Sequence, residues 1–316
     1  MAALPDLIGT PGRRRRDSSG RARESQVRTL ISPIEMRNVK VRVVYYILFA
    51  FMVCVLLSTA FPLYWLFTGS LKQPLEMAQI PPTFWPLHPT WQGIQDALTQ
   101  IDWLRAFFNT VFLSVGSWVL GTLVSTTAAY SFSRLRPKFG NLLLFLFMCT
   151  LMVPSIALFI TQYATILDVP IFHWNLIGTP FALWFPGAFN AMSIFIYKLF
   201  MDTIPTDIVE AARLDGARHW TIFWRICLPL IKPALVVGLI FSFIADWNGF
   251  LWPLLTLSRS GWEPIGLALY QYQLGDAPLV DQIAAASLAS LVPFILVAIF
   301  QNQIIKGNAA FAGLKG

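Results

Sequence analysis

The sequence predicts an all-α integral membrane protein with six transmembrane helices, and three observations predict it. Hydrophobic residues make up 56% of the chain and charged ones only 12%, with a mean hydropathy of +0.61. A soluble domain carries about 25% charged residues, so this chain cannot keep its apolar surface from water by folding alone. The apolar residues also come in long runs, and the basic residues cluster at alternate gaps between those runs.

Each run is long enough to cross a bilayer core about 30 Å thick, which needs roughly 20 residues of helix. Uncharged stretches cover 43–69, 106–133, 139–167, 169–197 and 282–305, and 233–258 is interrupted only by Asp246. The expected spans are 43–69, 106–133, 140–163, 178–200, 233–257 and 282–305, within a membrane domain of 41–306. With the N-terminus inside, 20 of the 23 Lys and Arg residues fall on one side and only Lys72, Arg105 and Arg259 on the other. Basic residues concentrate on the cytoplasmic side, so both termini are expected there.

The same topology accounts for the net charge of +7, and a nucleic-acid partner is not expected. Membrane lipid is the expected partner of the basic loops. The first 40 residues are polar and Arg-rich, which reads as a flexible cytoplasmic tail. The four arginines at 13–16 are followed by Asp17 and serines instead of an apolar stretch, so no export signal is expected. Cys54, Cys149 and Cys227 are isolated, as are His88, His173 and His219, and no metal site is expected.

Two loops stand out. The outer loop 70–105 interleaves Pro74, Pro81, Pro82, Pro86 and Pro89 with Phe84, Trp85 and Trp91, a pattern for a segment folded on the membrane surface, as a collar or as a contact for an external partner. The inner loop 203–229 has helix punctuation at both ends. Pro205 suits a first helical position, and Asp207 and Glu210 place negative charge in the first turn. Gly216 falls where a left-handed cap is needed, and a second helix over 217–226 is expected to end before Pro229. Ala211 and Ala212 leave room for close approach of a partner backbone.

Glu210-Ala211-Ala212, three residues, Gly216, nine residues, Ile226, one residue, Leu228-Pro229 resembles the signature of permease subunits of binding-protein-dependent ABC importers. Further similarity runs from Phe61 onward: Pro62-Leu-Tyr-Trp65, Asn109-Thr110, Trp247-Asn-Gly-Phe-Leu-Trp-Pro253, and a tail from Phe300 to Gly316. These are similar to the carbohydrate branch and its maltose-type second permeases. The resemblance implies a type I ABC importer permease architecture, in a bacterial or archaeal cytoplasmic membrane. It makes Glu210, Ala211, Ala212 and Gly216, with Ile226, Leu228 and Pro229, a coupling helix that docks on an ATP-binding subunit. It also implies a second homologous permease, two ATP-binding subunits, an extracytoplasmic solute-binding protein and a sugar substrate. The Gly-rich end, 307–316, resembles the maltose-type tail that reaches between the ATPase subunits.

The chain has no phosphate-binding loop of the G-x-x-x-x-G-K-[ST] type, so it is not expected to be an enzyme. ATP and Mg belong to the partner ATPase, and no cofactor is expected on this chain.

The substrate path is read from the fifth span. Asp246 lies 13 residues beyond Pro233, roughly 20 Å along a helix, and an intramembrane carboxylate points to function. Asn248 and Trp252, four apart, would share a helix face suited to sugar hydroxyls and a sugar ring; Pro253 would kink the span and free the carbonyl of Gly249. Trp247 joins this group, although it and Trp252 also suit interface anchors and Asp246 also suits pairing with a partner permease. A related reading keeps the machine and carries glycerol phosphate, polyamine or another small solute. The spans offer no Lys or Arg for a phosphate, which favours a neutral cargo. An ion-driven secondary transporter would need paired intramembrane ionisable groups, and Asp246 stands almost alone.

Overall fold

The computed structural model describes residues 39–313, with side chains through Gln301. Most of the predicted Arg-rich tail and the last three residues of the Gly-rich end therefore lie outside the described residues. The chain divides into two compact units at Thr59 and Ala60. The described part of the first unit is the N-terminal stretch of α1 (Val39–Gly69), and residues 42–59 are exposed without exception. A helix apolar around its whole circumference is stable only with hydrocarbon or protein on every side, which marks it as a membrane span.

In the second unit, the loop 70–105 is folded. It carries α2 (Pro74–Met77) and α3 (Gln92–Gln100) and is built around two buried charges, Lys72 and Glu76. Lys72 Nζ donates to Thr83 O and lies 4.3 Å from the centre of the Trp65 ring. Glu76 Oε1 accepts from Thr83 Oγ1 at 2.7 Å and from Leu87 N–H at 3.0 Å. Desolvation works to raise the Glu76 carboxyl. The hydrogen bonds from Thr83 and Leu87, the Lys72 charge and a further backbone bond from His88 outweigh it and hold it below the ordinary carboxylate value.

The second span is continuous: α4 (Trp103–Tyr130) runs into a π-turn over Ser131–Leu135, and Asp102 caps its start by accepting from Arg105 N–H at 3.1 Å. The third is not straight. α5 (Gly140–Thr150) stops, a 3-10 turn at Ser155–Leu158 follows Pro154, and α6 (Phe159–Leu167) departs at 95°. Pro154 has an extended ψ of 126° and no N–H to continue the ladder, which explains the break.

The fourth expected span is likewise two helices, α7 (Phe181–Ala188) and α8 (Ala191–Asp202), separated by Phe189 and Asn190 in extended conformation. Asn190 begins α8 by accepting from Ser193 N–H at 2.9 Å. After α9 (Thr206–Leu214), the second inner helix starts at His219, later than expected, as α10 (His219–Ile222). It passes through a π-turn at Phe223–Cys227 into α11 (Leu228–Leu230). The expected stop before Pro229 is therefore corrected. The wide turn has Leu228 N–H bonded to Phe223 O, five residues back, so the helix absorbs a proline that lacks its own donor.

α12 (Lys232–Asn248) and α13 (Leu251–Leu257) replace a single fifth span, broken where Gly249 turns to ψ 123°, four residues before Pro253. α14 (Ile265–Leu274) lies in the segment that follows, and α15 (Leu279–Gly313) extends the sixth span, remaining helical into the Gly-rich end. Among the described residues, three helices are long and apolar enough to cross a membrane alone, and up to five spans result if the bent pairs 140–167 and 219–248 each count as one.

α4 is the hub, packing against α7, α8, α12 and α14. Three indoles pin the helices by donating to backbone carbonyls: Trp184 to Leu113 at 3.0 Å, Trp118 to Leu235 at 3.2 Å and Trp252 to Ala182 at 3.1 Å. The irregular chain before α14 is also satisfied from α4. Asn109 Nδ2 donates to Gly261 O and Glu263 O, and Thr110 Oγ1 accepts from Ile265 N–H. Within a membrane such backbone groups have no water to fall back on.

Candidate functional site

The inner loop builds a short helix with a hard stop. α9 starts one residue later than expected, because Pro205 has an extended ψ of 135° and so serves as its cap; Asp207 is in the first turn and Glu210 in the second. At its end Gly216 takes φ +83°, Gly216 N–H donates to Arg213 O at 3.0 Å, and Ala217 N–H donates to Ala212 O at 2.9 Å. These two bonds are the Schellman closure, which needs a left-handed residue at the position Gly216 occupies. Open space surrounds the glycine, so its backbone angle alone is the constraint.

The helix is rooted by one face and bare on the other. Val209 is buried, and Ala212, Ala217, Ile226 and Leu228 pack on a core that includes Tyr130, Tyr197, Met201, Ile222, Phe223 and Cys227. That core joins the C-terminal ends of α4 and α8 and the start of α12 to α9. Each fully buried large side chain in it contributes about 1.5–3 kcal/mol where the alternative is water. Arg134 reinforces the joint, donating from Nη2 to Met201 O and, at 2.7 Å, to Ile204 O. On the other face Ile208, Glu210, Ala211 and Leu214 are exposed, Leu214 at 90%. Glu210 and Arg213 make no ion pair among the described residues. Pro229 is also exposed.

A cavity of about 790 Å³ lies among α4, α6, α7, α8, α12 and α13. Its polar lining includes Asp246, Gln162, Asn190, Ser193 and Ser242, with Trp252 as its aromatic wall. Trp252 meets Phe159 edge to face at 5.4 Å. The Asp246 carboxylate is partly buried beside the Ser114 hydroxyl. Thr122 lies against the Tyr197 hydroxyl, and Ser125 Oγ, on the same lining, has no hydrogen-bond partner among the described residues. Among the described residues, no Lys or Arg lines this cavity. Such a chamber can accept hydrogen bonds from hydroxyl groups and cover the apolar face of a ring.

Asp246 and Trp252 share one cavity, and the other two residues expected on the substrate path do not join them. Asn248 and Trp252 were expected on one helix face. The break at Gly249 separates them, and Asn248 instead bonds Ile244 O at 2.8 Å and lines a different cavity bounded by α12, α14 and α15. Trp247 is 5% exposed, packed in a core with Phe243, Ala106, Ile265 and Ala289 and edge to face with Phe107. Gln162, Asn190 and Ser193 were missed. A signal for the α4 wall was present in Ser114, Ser117, Gly121 and Ser125, small residues spaced three and four apart on one face.

Residues 121–307 match the family described as binding-protein-dependent transport system inner membrane component. Among similar proteins, the permease protein UgpE of the sn-glycerol-3-phosphate transport system of Yersinia pestis is 30% identical over 78% of this chain and 89% of its own length. The lactose transport system permease protein LacG of Rhizobium radiobacter is 26% identical over 78% of this chain and 88% of its own. The sulfoquinovosyl glycerol transport system permease protein SmoH of Agrobacterium fabrum is 29% identical over 83% and 90%. A chain from the crystal structure of a bacterial ABC transporter involved in import of the acidic polysaccharide alginate shares the fold. Its TM-score is 0.69 at 20% identity, covering 84% of this chain and 98% of that one.

Proposed function

The chain belongs to the family of binding-protein-dependent transport system inner membrane components, and from that premise we propose that it forms half of a transmembrane pathway for a neutral sugar, an oligosaccharide or a related solute. A second, homologous permease supplies the other half. Two separate subunits bind ATP with Mg and hydrolyse it, and an extracytoplasmic binding protein delivers the cargo. In this reading the chain is a multi-pass protein of a bacterial or archaeal cytoplasmic membrane. It crosses six times, counting the two helices α7 and α8 as one broken span, with both termini inside.

One observation carries the proposal: α9 is a rigidly closed helix whose buried face is continuous with the inner ends of α4, α8 and α12 and whose other face is bare. A partner that moves α9 therefore moves the span ends packed on it. Driving an inward-to-outward equilibrium from 1:99 to 99:1 takes about 5.5 kcal/mol, and a floppy connection would dissipate it. Glu210, Ala211 and Leu214 supply the contact with the ATP-binding subunit, and Gly216 supplies the stop. The class of cargo is supported by the cavity. Relatives in this family are named for glycerol phosphate, lactose and sulfoquinovosyl glycerol, and a phosphate or sulfonate would call for a cation that this lining does not offer. An anion would also meet the Asp246 carboxylate.

Purification of the tagged chain from its host in mild detergent, followed by mass spectrometry, tests the assembly. Recovery of a second permease with an ATP-binding subunit is expected, and vesicles holding the complex should take up a sugar only with ATP. Recovery of the chain alone, with uptake driven by an ion gradient, would refute the proposal.

A further inference from the structure

The segment that folds on Lys72 and Glu76 has its polarity reversed. These two are the only Lys, Arg, Asp or Glu between Ser70 and Gln95, and both are buried. Lys72 Nζ reaches Thr83 O, while Glu76 Oε1 is held by Thr83 Oγ1 and Leu87 N–H. The large side chains turned outward are apolar, with Gln73, Gln79 and His88 between them. Leu75, Ile80, Phe84, Trp85, Leu87 and Trp91 are each more than half exposed, Ile80 at 96%. A single exposed apolar residue on a soluble surface is ordinary; a dense set of them around a charged interior is not. In water that arrangement takes two charges out of solvent and leaves the aromatic rings in it, which is the unfavourable choice on both counts.

The same segment is tied back along the end of a span. Tyr64 Oη donates to Phe84 O at 2.7 Å, and Lys72 Nζ lies over the Trp65 ring. Tyr64 and Trp65 precede the end of α1 at Gly69 by about 6–7.5 Å of helix, so Phe84 lies beside the uncharged run and not beyond it. Tyr and Trp are also the residues that favour the boundary between hydrocarbon and water. Phe61, Tyr64 and Phe67 of α1 are exposed in their turn, so the apolar surface of the span passes to Phe84 across that hydrogen bond. The backbone suits the same place. Pro74, Pro81, Pro82, Pro86 and Pro89 carry no N–H, and Met77, Gln79 and Thr90 donate theirs to Gln73 O, Glu76 O and Leu71 O. Irregular chain beside lipid needs its donors satisfied or absent.

We infer that residues 75–91 form an anchor seated in the membrane–water interface at the C-terminal end of α1, with lipid as the partner of its apolar surface and Lys72 and Glu76 as its internal frame. Lipid is the occupant because the anchor shares its surface with a span: whatever surrounds α1 at Tyr64 also surrounds Phe84. The inference does not depend on what the cavity carries or on what seats on α9.

The full-length chain, with the subunits that accompany it, reconstituted in vesicles of phosphatidylethanolamine and phosphatidylglycerol, reads the contact directly. A photo-crosslinking amino acid replaces Ile80, Trp85 or, for comparison, Asp276, an exposed acid in the turn between α14 and α15. After irradiation, covalent lipid adducts found by mass spectrometry should be about tenfold more abundant at Ile80 and at Trp85 than at Asp276. A second measurement does not rely on crosslinking. In the same vesicles Ile80→Ser/Trp85→Ser should quicken hydrogen exchange over 75–91 several-fold, because the loss of two apolar side chains loosens a segment held by lipid and leaves a water-facing one as it was. Adducts at Ile80 and Trp85 with a co-purifying polypeptide in place of lipid would overturn the inference and assign the surface to a protein partner. So would lipid adducts as abundant at Asp276, or exchange in the serine variant that matches the wild type.

Discussion

Gly116 and Gly216 are constrained for opposite reasons, and the contrast separates the two working regions of the molecule. At Gly216 there is open space and a backbone angle of +83° that other residues resist. At Gly116 on α4, next to the lining residue Ser117, the angle is ordinary and there is no space, because a Cβ would fall on the indole of Trp184. The inner helix is thus specified by local backbone geometry and a filled apolar root. The cavity is specified by contacts between distant helices, and on its wall Ser125 Oγ has no hydrogen-bond partner among the described residues. Under the proposed function, the first region transmits force and the second holds the cargo.

The comparison can be broken most severely at Gly116. Gly116→Val should displace Trp184, cost the 1–3 kcal/mol or so typical of overpacking, and lower the yield of folded chain in detergent as well as uptake. Full yield and uptake would mean that α4 and α7 yield freely. Gly216→Val should act differently, with a local backbone cost of about 1–2 kcal/mol, normal membrane yield, and loss of ATP-dependent uptake. Gly216→Asn should retain much of the uptake, since Asn tolerates the left-handed angle. A Val variant with normal uptake would remove the helix stop from the account.

Asp246→Asn sharpens the other side of the contrast. Assembly with the partner subunits should survive and the concentration dependence of uptake should shift; failure of assembly would make Asp246 a structural residue. The smallest effect is expected in the outer loop. Glu76 has a folded value below the ordinary one of about 4.3, so its contribution is present above that value and is lost as pH falls through the lowered one. Hydrogen exchange over 70–102 should therefore quicken as pH falls below the ordinary carboxylate value in the wild type, and Glu76→Gln should remove that dependence. An unchanged acid response in the variant would assign it to another group.

The inner helix was legible in the sequence because its grammar is short-range: a proline, an early acid and a glycine at fixed offsets decide it within a dozen residues. Its continuation was less so, since Pro229 is tolerated only through a π-turn that no local pattern announces. The broken spans had partial warning in Pro154 and Pro186. The break at Gly249 carried more consequence, because a helical spacing of four placed Asn248 with Trp252 when the backbone sends them to separate cavities. Trp247 misled for a related reason: an aromatic in a span reads equally well as wall or as core, and only the neighbouring Phe107, Phe243 and Ala289 decide for core. The lining from Gln162, Asn190 and Ser193 depends on three helices meeting, which lies beyond any single-segment pattern.

The central claim is that the bare face of α9 is the seat of an ATP-binding subunit. Placing a photo-crosslinking amino acid at Ala211 in the tagged chain, irradiating intact cells and sequencing the adduct tests it directly. The account predicts a covalent adduct with a polypeptide that carries a phosphate-binding loop, and its loss in Gly216→Val. An adduct only with lipid or with the chain's own loops would contradict it.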